Sequence, residues 1–462
     1  MFDKIIEKEK DNIIKTTCEL IKFKSISLEN KDSSNPFGID CSKALEYTLN
    51  LGKEMGFKTK NLDNYCGYIE FGEGKDLVGI IGHLDVVPAL EEDGWDSSPF
   101  FPIIKDGKIF GRGAIDDKGP VIASLYAMKA VSENVKVSKR VRLILGLNEE
   151  KSWKCIKHYK SIEEWPQTGF SPDANFPAIY AEKGIMSISL ENYFKIKNFE
   201  IIEIDCKNNA LNVVPKYCAI TLKANTNNNI FINNIINNES NNEIKLTKLD
   251  NSTLKIESFG ISAHSAHPEL GKNAITILVK FLVNNFEFEN NYLNTLFELG
   301  LFDIYSPKFL SENKKIEDES GILTSNIAFL EYKNNKLVIK INLRVPVTFE
   351  LEKIEEKYNN LKNRFPNLII TTLSKQNPLY IDKNSNLVKK LVKIFNKKTG
   401  LNEEPIAIGG GTYARAFKNF ISYGMTMPGD KDMCHQANEF IEIDKLILSA
   451  KIYAEAIYEL SK

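Results

Sequence analysis

Two short apolar runs, Leu77 to Ile81 and Val141 to Leu147, each end in a cluster of ionisable residues. Runs that are β-branched and apolar on both faces fit strands of a sheet covered by helices, not strands with one wet face. Gly82-His83-Leu84-Asp85 follows the first run and Asn148-Glu149-Glu150 the second. Open α/β sheets present ligands at the carboxyl ends of their strands, so His83 and Glu149 are expected to emerge on one edge. Lys118 to Asn134 reads as a helix, with Pro120 tolerated in its first turn and Asp116 and Asp117 at its N-terminus. Ile5 to Phe23 carries apolar residues at helical spacing and reads as an amphipathic helix.

The character changes past Gly184. Ile185 to Leu190 reads as a strand, an Asn-rich stretch runs from Asn225 to Asn242 as a solvated, variable segment, and Leu254 to Phe259 and Lys336 to Leu343 alternate as strands of an α+β region. A Lys-rich helix from Asn386 to Lys398 and the cluster Gly409-Gly410-Gly411-Thr412 then return to α/β character. A chain of 462 residues suits two or three domains at roughly 100–200 residues each. The pattern predicts a discontinuous domain of residues 1–184 and 375–462, with residues 185–374 inserted as a second domain.

Bulk properties narrow the partners. Lys plus Arg number 60 against 61 Asp plus Glu, a net charge of -1 that gives no reason to expect nucleic acid or an acidic membrane. A small-molecule substrate is the default. The N-terminus is charged throughout and lacks a signal-peptide core, and no uncharged run reaches the ~18 residues of a membrane span. The seven cysteines are scattered and never spaced as Cys-x-x-Cys, which argues against a disulfide framework and for a cytoplasmic home.

Histidine nitrogen mixed with carboxylate oxygen suits Zn²⁺ or its neighbours. A pair of such ions ~3.5–4 Å apart needs a bridging carboxylate. Asp116, just before a helix, has two oxygens to share, while its neighbour Asp117 points elsewhere and is expected to cap that helix. His83 and Asp173 complete one set of ligands; Glu150 and a second histidine complete the other, drawn from His158, His264, His267 and His435. Adjacent Glu149 and Glu150 diverge at a strand end, so one ligates and the other stands free as general base. Asp85, two residues from His83, is expected to accept the ring's other N–H.

These motifs, with Gly94-Trp95, Pro99-Phe100 and Gly111-Arg112-Gly113 through Gly119-Pro120, resemble the superfamily of carboxypeptidase G, aminoacylase and succinyl-diaminopimelate desuccinylase. Phe170-Ser171-Pro172-Asp173-Ala174, Glu182-Lys183-Gly184 and Gly409 to Arg415 are similar to its PepV-type, carnosinase-like bacterial dipeptidase branch. The resemblance implies a zinc-exopeptidase α/β fold, a mixed sheet covered by helices, with a large α+β lid. It implies two divalent metal ions, zinc first with manganese or cobalt as alternatives, one held by His83, Asp116 and Asp173 and the other by Asp116, Glu150 and His435. Glu149 would be the general base acting on a metal-bridging water, and Asp85 would support His83.

Gly260-Ile261-Ser262-Ala263-His264 resembles the lid motif whose histidine donates to the tetrahedral oxyanion. Asn212 and Arg344 are similar to substrate-holding positions of the lid, Arg344 as a bidentate clamp for a peptide C-terminus. The turn Gly410, Gly411 and Thr412 would meet the same carboxylate. Cys434 and His158 read as bystanders and His267 as a surface residue. Two departures stand out: Glu91 and Glu92 lengthen the loop before Trp95, and Lys151, where the family tends to carry a small residue, would lower the pKa of Glu149 if close. The expected function is dipeptide hydrolysis by a monomer. The alternatives are an N-acyl or N-succinyl amino acid deacylase of the same superfamily and a non-catalytic metal-binding protein.

Overall fold

A computed structural model describes residues 1–29, 34–90, 93–208, 210–225, 235–236, 242–311 and 314–462. Glu91, Glu92 and most of the Asn-rich stretch lie outside the described residues. The chain divides into two compact units, the first Met1–Tyr180, Tyr380–Ile406 and Gly411–Lys462, the second Ala181–Leu379 and Ala407–Gly410.

The first unit is built on a mixed sheet. The strand Leu77–His83 is buried at every residue and lies between Arg140–Gly146 and Thr168–Ser171, parallel to both. Phe420–Ser422 adds a further parallel strand beside Thr168–Ser171, and Cys66–Phe71 and Lys58–Leu62 extend the other side antiparallel. His83 pairs with Gly146 and Ile80 with Phe170. Since the three strands run parallel, the segments that follow His83, Gly146 and Ser171 leave the sheet at one edge. Each fully buried Val, Leu or Ile in these strands contributes ~1.5–3 kcal/mol of apolar burial.

The helix Lys118–Ser132 packs against the sheet and against the C-terminal helix Ile443–Ser461. It is buried from Lys118 to Met128, which accounts for its small and apolar sequence. The N-terminal helix expected over Ile5 to Phe23 is two helices, Asp3–Lys8 and Lys10–Ile21, because Glu9 leaves helical geometry at φ -89°, ψ 1°.

The second unit holds two four-stranded antiparallel sheets. One runs Thr324–Lys333, Lys336–Val345, Gly184–Tyr193, Ile369–Gln376; the other runs Phe199–Asp205, Tyr217–Ala224, Thr253–Phe259, Ile244–Lys248. Helix Ala274–Asn285 is capped by Asn273, whose side chain accepts from the amides of Ile275 and Thr276. Cys206 and Cys218 face each other, because the antiparallel pairing of Asp205 with Ala219 sets them opposite, which their separation of 12 residues did not signal. Cys18, Cys41, Cys66, Cys155 and Cys434 are free. Among the described residues no helix is long and apolar enough to cross a membrane.

Candidate active site

His83 ends its strand, Asp116 immediately precedes Asp117, the residue before helix Lys118–Ser132, and Asp173 follows Thr168–Ser171; their ligand atoms lie within 4.8 Å of one another. A second group, Asp116, Glu150 and His435, meets the same limit. Asp116 is common to both. Its Oδ1 stands 2.9 Å from His83 Nε2, and its Oδ2 3.0 Å from His435 Nε2, which is also 3.1 Å from Glu150 Oε1. One carboxylate thus turns each oxygen toward a different imidazole. His83 Nε2 is buried and, despite that 2.9 Å approach, makes no hydrogen bond. Imidazole nitrogens and carboxylate oxygens converge on two points, where a cation can take the place of the proton they otherwise share, so the residues fit a pair of divalent ions.

Electrostatics lead to the same conclusion. As protein groups alone, burial raises Glu149 well above the usual carboxylate range, with the charge of His83 opposing, and burial raises Asp117 likewise. Burial disfavours charge on Asp116 too, yet the flanking His435 and His83 hold it far below its ordinary value. Burial would lower His435, but Glu150 and Asp116 outweigh it and push it up to about 12. So many carboxylates in one place draw protons onto both histidines, and a dication would displace those protons.

The supports differ from expectation in three places. His83 Nδ1 faces the Asp85 backbone carbonyl at 2.9 Å, while the Asp85 carboxylate is 3.6 Å away, so the main chain and not the side chain fixes the ring. The Asp85 carboxylate accepts instead from the amides of Glu149 at 3.0 Å and Glu150 at 3.2 Å. Asp117 does not cap its helix; its Oδ2 accepts the His83 amide at 3.0 Å. Gly82 makes that possible, since a Cβ there would sit 2.5 Å from Asp117 Oδ2. Lys151 is exposed and is not among the main influences on Glu149.

Glu149 and Glu150 occupy a turn, not a strand end. Asn148, fully buried, fastens it: its Nδ2 donates to Ser27 Oγ, its Oδ1 accepts from the Lys154 amide and its carbonyl accepts from the Trp153 amide. Trp153 Nε1 in turn donates to the Glu149 carbonyl at 2.8 Å. Two residues outside the expected set also matter. Glu439, buried, pairs with Arg112 at 2.6 Å and accepts from the amides of Ile115 at 3.0 Å and Asp116 at 3.3 Å. The only sequence signal was an Arg in the glycine-rich turn and a Glu four residues after His435.

Within the second unit, Val213 pairs with His264, and the Ser265 amide donates to the Asn212 carbonyl at 2.9 Å, so Asn212 and His264 stand side by side, both exposed. His264 Nδ1 accepts the Ala266 amide at 3.3 Å, which leaves the ring proton on Nε2 and makes that atom a donor. Arg344 is buried; it donates to the Gly409 carbonyl at 2.9 Å, Asn342 Oδ1 at 3.1 Å and Ser265 Oγ at 3.1 Å. Gly409 abuts Ala266, where a Cβ would come within 2.8 Å. Thr412, in the first unit, is buried with its hydroxyl bonded to Ser422 Oγ at 2.6 Å and to the Ala414 amide, so its side chain serves the turn. Gly411 is exposed. His158 lies on helix Lys154–Ile162 facing Asp63, His267 is exposed, and Cys434 is part-buried.

Known proteins are similar to this chain in sequence and in fold. Residues 79–459 match the profile of Peptidase family M20/M25/M40. The chain is 36% identical over 464 residues to a putative dipeptidase, YtjP, of Bacillus subtilis, covering 98% of each, and 36% identical to a putative dipeptidase of Staphylococcus epidermidis, covering 99% and 98%. Its fold is similar to human carnosine dipeptidase 1, TM-score 0.62 at 15% identity with 99% and 98% covered. It is also similar to the di-peptidase Dug1p of Saccharomyces cerevisiae, TM-score 0.59 at 14% identity with 100% and 98% covered. The chain belongs to peptidase family M20/M25/M40 and is a peptide-bond hydrolase.

Proposed function

We propose that the chain is a metallodipeptidase. The observation that carries this reading is Asp116 shared between two three-residue groups, with Glu149 beside Glu150 and outside both. His83, Asp116 and Asp173 would hold one divalent cation and Asp116, Glu150 and His435 the other, zinc first, with manganese or cobalt as alternatives. When bound, such ions polarise the scissile carbonyl and acidify the attacking water.

The protein's own groups do the rest. Glu149, whose carboxyl burial raises, takes a proton from the attacking water and later gives it to the leaving nitrogen. The Asp85 carboxylate holds the Glu149 and Glu150 amides and so sets where both side chains start. His264, with Nε2–H as donor, stabilises the oxyanion, a contact used chiefly in the transition state. Asn212, Arg344 and the backbone of Gly410, Gly411 and Thr412 hold the substrate, with Arg344 directed at its carboxylate. The likeness of the curated relatives, named as putative dipeptidases, favours a dipeptide as that substrate.

The test is a panel of dipeptides and N-acyl amino acids assayed with Zn²⁺, Mn²⁺ and Co²⁺. Dipeptides should turn over fastest. Preference for N-acyl amino acids would replace the dipeptidase reading with a deacylase.

A further inference from the structure

Asp116 and His435 come from segments more than three hundred residues apart in sequence, yet their Nε2–Oδ2 separation is 3.0 Å. Something must set that distance. The strands Lys108–Phe110 and Phe440–Glu442 pair antiparallel, with Phe110 opposite Phe440, and the Gly111 amide donates to the Glu439 carbonyl at 2.9 Å. The Glu439 carboxylate then divides: Oε1 receives the Ile115 and Asp116 amides, and Oε2 receives Arg112 Nη1 at 2.6 Å. Arg112 Nη2 reaches the His435 carbonyl at 3.4 Å, and the guanidinium lies over the Trp95 ring, 5.2 Å from its centroid. Asn438 ties the same segment to the Trp95 loop, accepting the Asp96 amide at 2.8 Å.

His435 needs such a hold. Its φ of 64° lies in the left-handed region that a side chain disfavours, and its side chain is 48% exposed, so packing alone does not fix it. We propose that Arg112 and Glu439 form a clasp that positions His435 against Asp116, and thereby builds the Asp116–Glu150–His435 site selectively. The inference rests on the two-metal reading. Two of that site's three ligands hang on the clasp, one through its amide and one through its carbonyl; in the His83–Asp116–Asp173 site only Asp116 does. Both are positioning residues, since neither offers an atom to the ions.

The test is titration of the full chain with Zn²⁺ against a competing chelator, and with Co²⁺ followed by its visible absorption, for wild type, Glu439→Gln and Arg112→Lys. Gln keeps one acceptor for the amides but turns a donor toward Arg112; Lys keeps the charge but cannot reach Glu439 and the His435 carbonyl together. Orienting partners of metal ligands typically hold ~10–100-fold in affinity. The second equivalent should weaken by that factor in both variants while the first changes little, reproducing in kind the one-equivalent loss of His435→Ala. Wild-type affinity for both equivalents, or equal weakening of both, would overturn the clasp. A wild-type chain that takes up only one equivalent would overturn the two-metal reading and the clasp with it.

Discussion

Asp85→Asn separates two ways in which a buried carboxylate could serve this site. In the structure its oxygens receive the Glu149 and Glu150 amides at 3.0 and 3.2 Å, and its side chain is fully buried. Asn has the same shape but one acceptor, so one charge-assisted hydrogen bond is lost and an NH₂ is turned toward an amide N–H. Hydrogen bonds to charged groups are worth about 1.5–3 kcal/mol. Spent on displacing Glu149 in the transition state, that loss is roughly 10–150-fold in kcat at 1.36 kcal/mol per decade. Removing a carboxylate that burial already disfavours, with a pKa pushed up to about 6, moves the effect toward the lower half of that range. The ring of His83 is held by the Asp85 main-chain carbonyl, which Asn retains, so the His83–Asp116–Asp173 group should keep its metal affinity, and any weakening should fall on the group that contains Glu150, whose amide the Asp85 carboxylate also holds. Steady-state kinetics at saturating metal, with metal analysis of the same preparations, is the assay. An unchanged kcat in metal-saturated protein together with weakened binding of both equivalents would refute the reasoning, because it would mean that Asp85 acts through His83 and not through the Glu149–Glu150 amides.

Two further outcomes follow from the same geometry. Gly82→Ala places a Cβ 2.5 Å from Asp117 Oδ2 and 2.6 Å from Val121 Cγ2, inside a fully buried strand; overpacking of this kind costs about 1–3 kcal/mol, read as a lower midpoint in thermal or urea unfolding. His83 and His435 are both raised by their carboxylate neighbours, the latter to about 12, so at neutral pH each carries a proton that a metal must displace. Apparent affinity therefore rises with pH, and calorimetry in buffers of different ionisation enthalpy should record protons released on Zn²⁺ binding.

The sheet edge is the part of the molecule most legible in the residues themselves. Leu77–His83 and Arg140–Gly146 are buried on both faces, so their apolar runs can be read directly, and the ionisable residues that follow them have to emerge together. His435 is different: its segment is distant in sequence and irregular in structure, with no periodicity to read, and only family resemblance points to it. Contacts made by main-chain groups are not legible at all. Spacing suggests that the Asp85 side chain meets His83, whereas the carbonyl does, and proximity to a helix suggests that Asp117 caps it, whereas it takes the His83 amide. Arg112 and Glu439 escape for a related reason, since their partners are one another and backbone atoms in segments joined only by the fold. That Cys206 and Cys218 face each other depends on strand register, which cysteine counting does not see.

The most direct measurement is turnover of a dipeptide by Glu149→Ala beside its bound metal. Hydrolysis should fall to background while the chain still holds about two equivalents of Zn²⁺, since Glu149 belongs to neither ligand group. A variant that hydrolyses dipeptides at the wild-type rate would contradict the assignment of Glu149 as the proton carrier.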